Sequence, residues 1–152
     1  MAIDYFHIKE RDFDLVEQLV EIESGCFDEA SAFDAFELTA LLRHGRVYVA
    51  VENETVIGSV YFMRNFDNTE KAFLHSINIV DPQKYANLGV SLLNIAFMDM
   101  KASGMKIIEV NVDAANIGAL KKYREQLGFV PSDKLESEIF GGSKLLMLKK
   151  EL

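Results

Sequence analysis

The chain has 152 residues, 49% of them apolar and 26% charged, with a net charge of −8. This is enough for one domain, residues 1–152, with a real core, and no apolar run is long enough to span a bilayer or serve as a signal-peptide core, so no membrane partner is expected. The acidic balance argues against nucleic acid as a partner, and the single cysteine, Cys26, fits a reducing compartment, so a cytoplasmic location is expected.

The charge is uneven. Residues 1–54 carry thirteen acidic and four basic side chains, a balance of −9, and residues 55–152 carry a balance of +1. The N-terminal part is suited to facing solvent or a cation, the C-terminal part to holding an anion. There is no cysteine pair, and His7, His44 and His75 are far apart in sequence, so no metal site is expected.

Residues 3–8 alternate apolar and polar side chains and read as a strand. Asp12 or Asp14 can cap a helix to about Ser24, in which Leu15, Leu19, Ile22 and Cys26 recur at helical spacing beside Val16 and Val20. A loop follows around Ser24-Gly25 and Asp28-Glu29. Ser31 is expected to cap a second helix, with Asp34 in the capping-box position and Phe33, Phe36, Leu41 and Leu42 on the apolar side. His44-Gly45 would end it, with glycine suited to a left-handed C-terminal position.

Residues 47–51 and 56–63 read as strands joined by a tight turn at Glu52-Asn53-Glu54, so the sequon Asn53-Glu54-Thr55 is a chance match. A polar turn leads to a strand at 72–80, a polar loop at 81–88, and a helix at 89–103 with Val90, Leu93, Ala96, Phe97 and Met100 on one face. Residues 106–112 are apolar enough for a central strand covered on both faces. A helix at 116–127, a segment through Phe129-Val130-Pro131, a turn at Gly141-Gly142 and a strand at 144–149 complete the chain. The order β-α-α-β-β-β-α-β-α-β-β runs antiparallel hairpins into one βαβ crossover. It implies an α/β (mixed α+β) fold with a twisted, mostly antiparallel mixed sheet and helices on both faces.

The loop Pro82-Gln83-Lys84-Tyr85-Ala86-Asn87-Leu88-Gly89 opens a helix. A helix N-terminus offers unpaired amides and the positive end of its dipole, which suits a phosphate. Leu88, Gly89, Val90 and Ser91 would supply those amides, and Lys84, Lys121, Lys122 and Arg124 could screen the charge. Taken alone, the stretch reads more readily as a plain glycine-containing helix start than as a binding loop.

Further residues complete a pattern. Val80-Asp81-Pro82 closes the strand before the loop, and Leu92-Leu93 is a leucine pair in the helix after it. Asn116 follows the next strand, Ala119 comes three residues on, Tyr123 seven, and Gly128-Phe129 closes the stretch. This pattern resembles the GNAT (Gcn5-related) family of acyl-CoA-dependent N-acetyltransferases, over essentially the whole chain. Two departures stand out. The loop is one residue shorter than usual after Pro82, so Lys84 and Tyr85 compete for one position, and Asn87 stands where a glycine is usual. Asparagine tolerates positive φ, which such a loop can use. The segment from Tyr123 to Gly128-Phe129 is one residue longer than usual, so Lys122 takes the tyrosine position if Gly-Phe is the anchor.

The resemblance implies an N-acetyltransferase using acetyl-CoA as co-substrate and no metal. It implies a splay between strands 72–80 and 106–112 that admits the pantetheine arm, with Ile79 and Val80 beside the thioester and a backbone amide near Ile79 polarising its carbonyl. Lys84, Tyr85, Asn87, Leu88, Gly89, Val90 and Ser91 would hold the pyrophosphate, and Asn116 and Tyr123 would also contact the cofactor. Direct attack by an amine needs no covalent enzyme intermediate, which fits the lack of a plausible nucleophile; it needs a base for the amine and an acid for the leaving thiol. Tyr123 is the candidate acid, or else a half-buried core tyrosine. His75 and Glu109 are candidate bases; a water chain or an amine deprotonated in bulk are alternatives. Asn111 stands where relatives that acetylate protein N-termini carry a glutamate. The acceptor, a small cationic amine or a peptide or protein amine, would lie by Glu21, Glu23, Asp28, Glu29, Asp34 and Glu37, with Phe27, Phe33 and Phe36 between. Two other readings stand beside this one: a GNAT-like acyl-CoA-binding or protein-interaction module, and a subunit that forms a homodimer through outer strands such as 144–149.

Overall fold

The computed structural model describes residues 2–9, 12–26, 32–139 and 143–152. Its elements are β1 (Asp4–His7), α1 (Phe13–Cys26), α2 (Ala35–His44), β2 (Arg46–Glu52), β3 (Thr55–Arg64), β4 (Lys71–Ile79), α3 (Leu88–Ala102), β5 (Ile107–Asp113), α4 (Ile117–Lys121) continued by a π turn (Lys122–Gln126), β6 (Val130–Ile139) and β7 (Ser143–Glu151). The order of elements is the expected one. The expected Ser31 cap, the loop residues Phe27, Asp28 and Glu29, and the Gly141-Gly142 turn lie outside the described residues.

Period-two alternation builds a core on each face of the sheet. In β2, Val47 and Val49 join Val16, Leu19 and Ile22 of α1 and Leu38, Leu41 and Leu42 of α2. Tyr48 and Ala50 join Leu92, Leu93, Ala96, Phe97 and Met100 of α3 on the other face. Helices on both faces follow from strands that are apolar on both faces.

Local chemistry corrects three expectations. Asp34, rather than a residue three positions earlier, caps α2. Its Oδ1 accepts from the Glu37 amide at 2.9 Å while Glu37 Oε2 accepts from the Asp34 amide at 2.9 Å, a complete capping box. The helix therefore starts later, and Phe36, expected on its apolar side, is 87% exposed. Gly45 is extended, with φ −98°, rather than left-handed. Glycine is needed there for close approach: a Cβ would collide with the Phe62 carbonyl oxygen and lie 3.0 Å from that of Leu41. At the β2–β3 turn both Asn53 and Glu54 have positive φ, 51° and 63°, as a two-residue hairpin turn of matching twist requires.

The sheet order is β1-β2-β3-β4-β5-β7-β6, antiparallel except for β4 beside β5. β7 thus lies between β5 and β6 and pairs with both. Residues 144–149 were expected as an outer strand; they are interior, and that strand has no free edge with which to bind a second copy. β5 also departs from expectation. Ile108, Val110 and Val112 face the α3 core, but the opposite face carries Glu109, Asn111 and Asp113, so its apolar cover is one-sided.

Candidate active site

β4 pairs with β5 only from Lys71↔Ile107 to Leu74↔Val110, although β4 runs on to Ile79 and β5 to Asp113. The cause lies on the other side of β4. There Tyr61 pairs with Ser76 and Phe62 with Leu74, so His75 is an extra residue without a partner. Such a bulge bends its strand and increases the local twist. β4 turns from β5, β5 stays with β7, and a gap opens beyond Leu74 and Val110.

Backbone alternation sets what faces the gap. Val80 N–H donates to the Ile57 carbonyl on β3 at 3.0 Å. Val80 and Asn78 therefore direct their backbone groups to β3, and Ile77 and Ile79 direct theirs into the gap. Val80, expected beside the thioester, has its amide engaged; the amides of Ile77 and Ile79 are the ones available.

The N-terminus of α3 closes the end of the gap, with Gly89 packed against Ile77 and Ile79. Four amides were expected to be available there. The Leu88 amide donates to Tyr85 O and the Ser91 amide to Asn87 O, each at 3.1 Å. Gly89 and Val90 are left without an intrahelical acceptor, because the first turn of a helix has none to give. The preceding loop is wound tightly: Asp81 Oδ1 accepts from the amides of Gln83 and Lys84, and Asp81 O accepts from that of Tyr85. Asn87 does not use its tolerance of positive φ; its φ is −104°. Tyr85 turns inward against the α3 core and its hydroxyl donates to Glu52 Oε1 at 3.1 Å. Lys84 stays in solvent with its ammonium 5.0 Å from the Tyr85 ring centre. Tyr85 anchors the loop, and Lys84 is the cation beside it.

Asn116 caps α4, its Oδ1 accepting from the Ala119 amide at 3.1 Å, while its NH₂ donates to no described residue. The surplus residue after Tyr123 is absorbed by the π turn, since a π turn takes one residue more than an α turn. Tyr123 thereby keeps its spacing from Asn116 and still meets Phe129 edge-on, with ring centres 5.3 Å apart. Gly128, with φ +74°, makes the exit that brings the Phe129 amide to the Tyr123 carbonyl at 2.9 Å. Lys122 is exposed and is not the residue at this position. Burial pushes the Tyr123 hydroxyl up to about 12, and it has no hydrogen-bond partner among the described residues.

The two candidate bases separate. Glu109 is buried and held by Lys71 at 2.6 Å, beside Phe73 in the paired part of β4 and β5. His75 stands on the bulge at the mouth of the gap, its ring 4.7 Å from Phe33 and 6.5 Å from Phe73. Burial lowers its pKa, against a smaller upward pull from Glu37. The imidazole is therefore neutral at pH 7 and able to take a proton.

Sequence reasoning placed Glu23 only in an acidic surface; the structure buries it. Glu23 is 1% exposed and accepts from Asn78 Nδ2 at 3.2 Å and from the Phe33 amide. Asn78 Nδ2 also reaches Ser59 Oγ at 3.4 Å. The buried polar atoms Ser76 Oγ and Asn78 Oδ1 on this face have no hydrogen-bond partner among the described residues. The signal was available, since Glu23 follows Leu19 by four residues and Val16 by seven, on the stripe that α1 buries. Asp34 and Glu37 remain exposed, each accepting a backbone amide in the capping box.

Burial raises the Glu23 pKa, the largest cause, against the Asn78 and Phe33 hydrogen bonds. The folded chain then holds a proton that the unfolded chain releases, so this group lowers stability as pH rises from the ordinary glutamate value of 4.5 through the raised one. Glu23→Gln is expected to melt above the parent at pH 8 and level with it at pH 4. Melting curves at both pH values test this, and a variant less stable than the parent at pH 8 would reverse the assignment.

Among the described residues no group of three or more His, Cys, Asp or Glu side chains is arranged to hold a metal, and no helix is long and apolar enough to cross a membrane.

The model of the acetyltransferase (GNAT) family matches residues 16–129. No curated protein matches the chain. A solved structure from Desulfovibrio desulfuricans, described as a GNAT-family acetyltransferase, is similar with a TM-score of 0.80 at 17% identity, covering 99% of both chains. The ribosomal-protein-S18-alanine N-acetyltransferase of Escherichia coli gives 0.80 at 15% identity, covering 99% of this chain and 94% of that one. The PaiA N-acetyltransferase of Thermoplasma acidophilum, in complex with coenzyme A, gives 0.75 at 18% identity, covering 100% of both. At such identities the structures establish likeness of fold, while the family match extends over most of the sequence. The chain belongs to the GNAT family of acetyltransferases.

Proposed function

We propose that the chain, acting as one acyltransferase domain, moves an acetyl group from acetyl-CoA to a primary amine by direct attack in a ternary complex. The observation that carries this reading is the gap between β4 and β5 with the free amides of Gly89 and Val90 at its end. The pyrophosphate lies on those amides, with Lys84 beside it, and the pantetheine arm pairs along the open edge of β4. The coenzyme A complex of the Thermoplasma relative supports this use of the fold.

The chemistry follows from the groups around the gap. A neutral amine nitrogen attacks the thioester carbonyl carbon, and the C–N bond forms. Oxyanion charge develops toward the amides of Ile77 and Ile79. His75 takes the amine proton; Glu109 is held by Lys71 and is the weaker base candidate. The C–S bond breaks, and the leaving sulfur receives a hydrogen bond, then a proton, from the Tyr123 side. Asn116 offers its free NH₂ to the cofactor. The setting proposed is the cytoplasm, which the lone Cys26 supports.

The test is a thermal shift followed by an amine panel. Acetyl-CoA at about 100 times its dissociation constant is expected to stabilise the fold by roughly 2.7 kcal/mol. Thiol release with a primary amine then supports transfer. No shift with millimolar acetyl-CoA overturns the proposal. A shift without thiol release across the panel would instead support an acyl-CoA-binding module.

A further inference from the structure

The acceptor side of the gap carries more information than the sequence suggested. Two hollows adjoin on the sheet face that bears α1 and α2. The first, of about 490 Å³, lies between α2 and the end of β3 and is lined by Phe33, Leu41, Met63 and Phe66. The second, of about 260 Å³, contains Met63, Phe73 and Met147. Met63 belongs to both. Phe33 from the first and Phe73 from the second are the two rings that flank His75. Each hollow thus offers one ring beside the candidate base, Phe33 being the nearer at 4.7 Å.

Among the described residues the first hollow is mostly apolar, while the second also carries Arg64, Asn65, Lys71 and Glu109. Phe66 is 100% exposed and Met63 37%. Folding alone does not require a wholly exposed phenylalanine beside an apolar hollow, and such surface marks a place where something apolar binds. Several charged groups at the rim have partners within the chain, though only Glu109 among them is ion-paired. Arg64 Nε donates to the Thr69 carbonyl at 2.8 Å, Glu37 Oε2 accepts from Asp34, and Glu109 is held by Lys71. Among the described residues Glu37 is the one carboxylate lining the first hollow. A polyamine or aminoglycoside would bring several cations to that single acid and set polar groups against phenylalanine and methionine. A single ammonium with an apolar body matches the surface instead.

Resting on the reading of the gap as an acetyl-transfer site, we infer that the acceptor is a primary amine carrying one large apolar group close to the nitrogen, the apolar group lying in the hollow of Phe33, Met63 and Phe66 and the nitrogen reaching His75. This narrows the small cationic amine or peptide amine expected from the sequence to one with a single ammonium and an apolar body. The same chemistry has two sources, a free arylalkyl or branched-alkyl amine and the N-terminal residue of a peptide. Either one forms the amide by the transfer already described, with the acetyl carbon–sulfur bond broken and the thiol released.

The experiment measures thiol release at saturating acetyl-CoA with phenylalaninamide, a tetrapeptide beginning with phenylalanine, glycinamide and spermidine. The expected result is a kcat/KM at least tenfold higher for a phenylalanine-bearing amine than for glycinamide or spermidine. Which of the two phenylalanine arms is faster identifies the source. In Phe66→Ser the preference over glycinamide is expected to narrow at least threefold, through KM. Phe66 makes no contact that the fold needs, so the variant should fold; its melting curve checks this. Spermidine or glycinamide turned over as well as the phenylalanine arms, or a preference unmoved by Phe66→Ser, overturns the inference. Turnover of none of the four overturns the transfer reading. In that case ligand-observed NMR with acetyl-CoA present decides the inference separately: ring signals of phenylalaninamide that contact the chain, and contact it less in Phe66→Ser, uphold it, and their absence overturns it.

Discussion

Tyr123→Phe is expected to lower kcat about 10²-fold with little change in melting temperature or in KM for acetyl-CoA. The ring is held edge-on to Phe129 and packs against the α3 core, and phenylalanine keeps both contacts. The hydroxyl has no partner among the described residues, so its loss leaves no orphaned group behind. Burial pushes that hydroxyl up to about 12, so it holds its proton throughout the working pH range. An ordinary thiol has a pKa near ~8.5, so full proton transfer to the leaving sulfur is uphill. Its chief contribution is then a hydrogen bond to charge that develops as the C–S bond breaks. Removing one such donor from a preorganised site typically costs about 10²–10³ in rate. A donor whose leaving thiol is more acidic should feel the substitution less. A kcat within twofold of the parent would return Tyr123 to the status of a core residue.

Gly89→Asp is expected to raise the dissociation constant for acetyl-CoA about tenfold or more in a chain that still folds. A Cβ at position 89 meets only the tip of Ile77 at 3.5 Å and those of Ile79 at 3.9 Å, ordinary contacts. A carboxylate in the first turn of α3 is favourable to the helix, which has no acidic residue there, by about 0.3–1 kcal/mol. The same carboxylate occupies the positive end of the helix that the proposal reserves for pyrophosphate, and it repels that group. Isothermal calorimetry with acetyl-CoA and a melting curve separate the two effects. Unchanged affinity in a stable variant would remove the α3 N-terminus from the binding site. Loss of stability would show that glycine is required by packing.

The two departures from the family pattern resolved in different ways. The surplus residue before Gly128-Phe129 is a backbone matter, absorbed by a π turn, and it leaves Tyr123 in place. The short loop after Pro82 is a side-chain matter. Tyr85 and Lys84 divide the role between an inward anchor and an outward cation. Neither outcome could be read from residue counts, because a count does not say where the backbone takes up the slack.

What the sequence by itself determined was much of what local periodicity governs. The order of elements, a helix opening within one residue of Leu88, the Asn116 cap and the spacing to Tyr123 all follow from patterns a few residues long. The tertiary structure alone decided how the strands assort and where they part. β7 enters between β5 and β6, and one unpaired residue, His75, bends β4 away from β5. Those are competitions between distant segments for the same backbone hydrogen bonds, and no short window of sequence records their outcome. The same holds for Glu23, which becomes a buried acid only when Asn78 and Ser59 are brought against it. It holds for the hollow between α2 and the end of β3 too. That part of the chain is acidic in sequence, yet Glu23 is buried and the lining presents Phe33, Leu41, Met63 and Phe66 with Glu37 as its one carboxylate among the described residues.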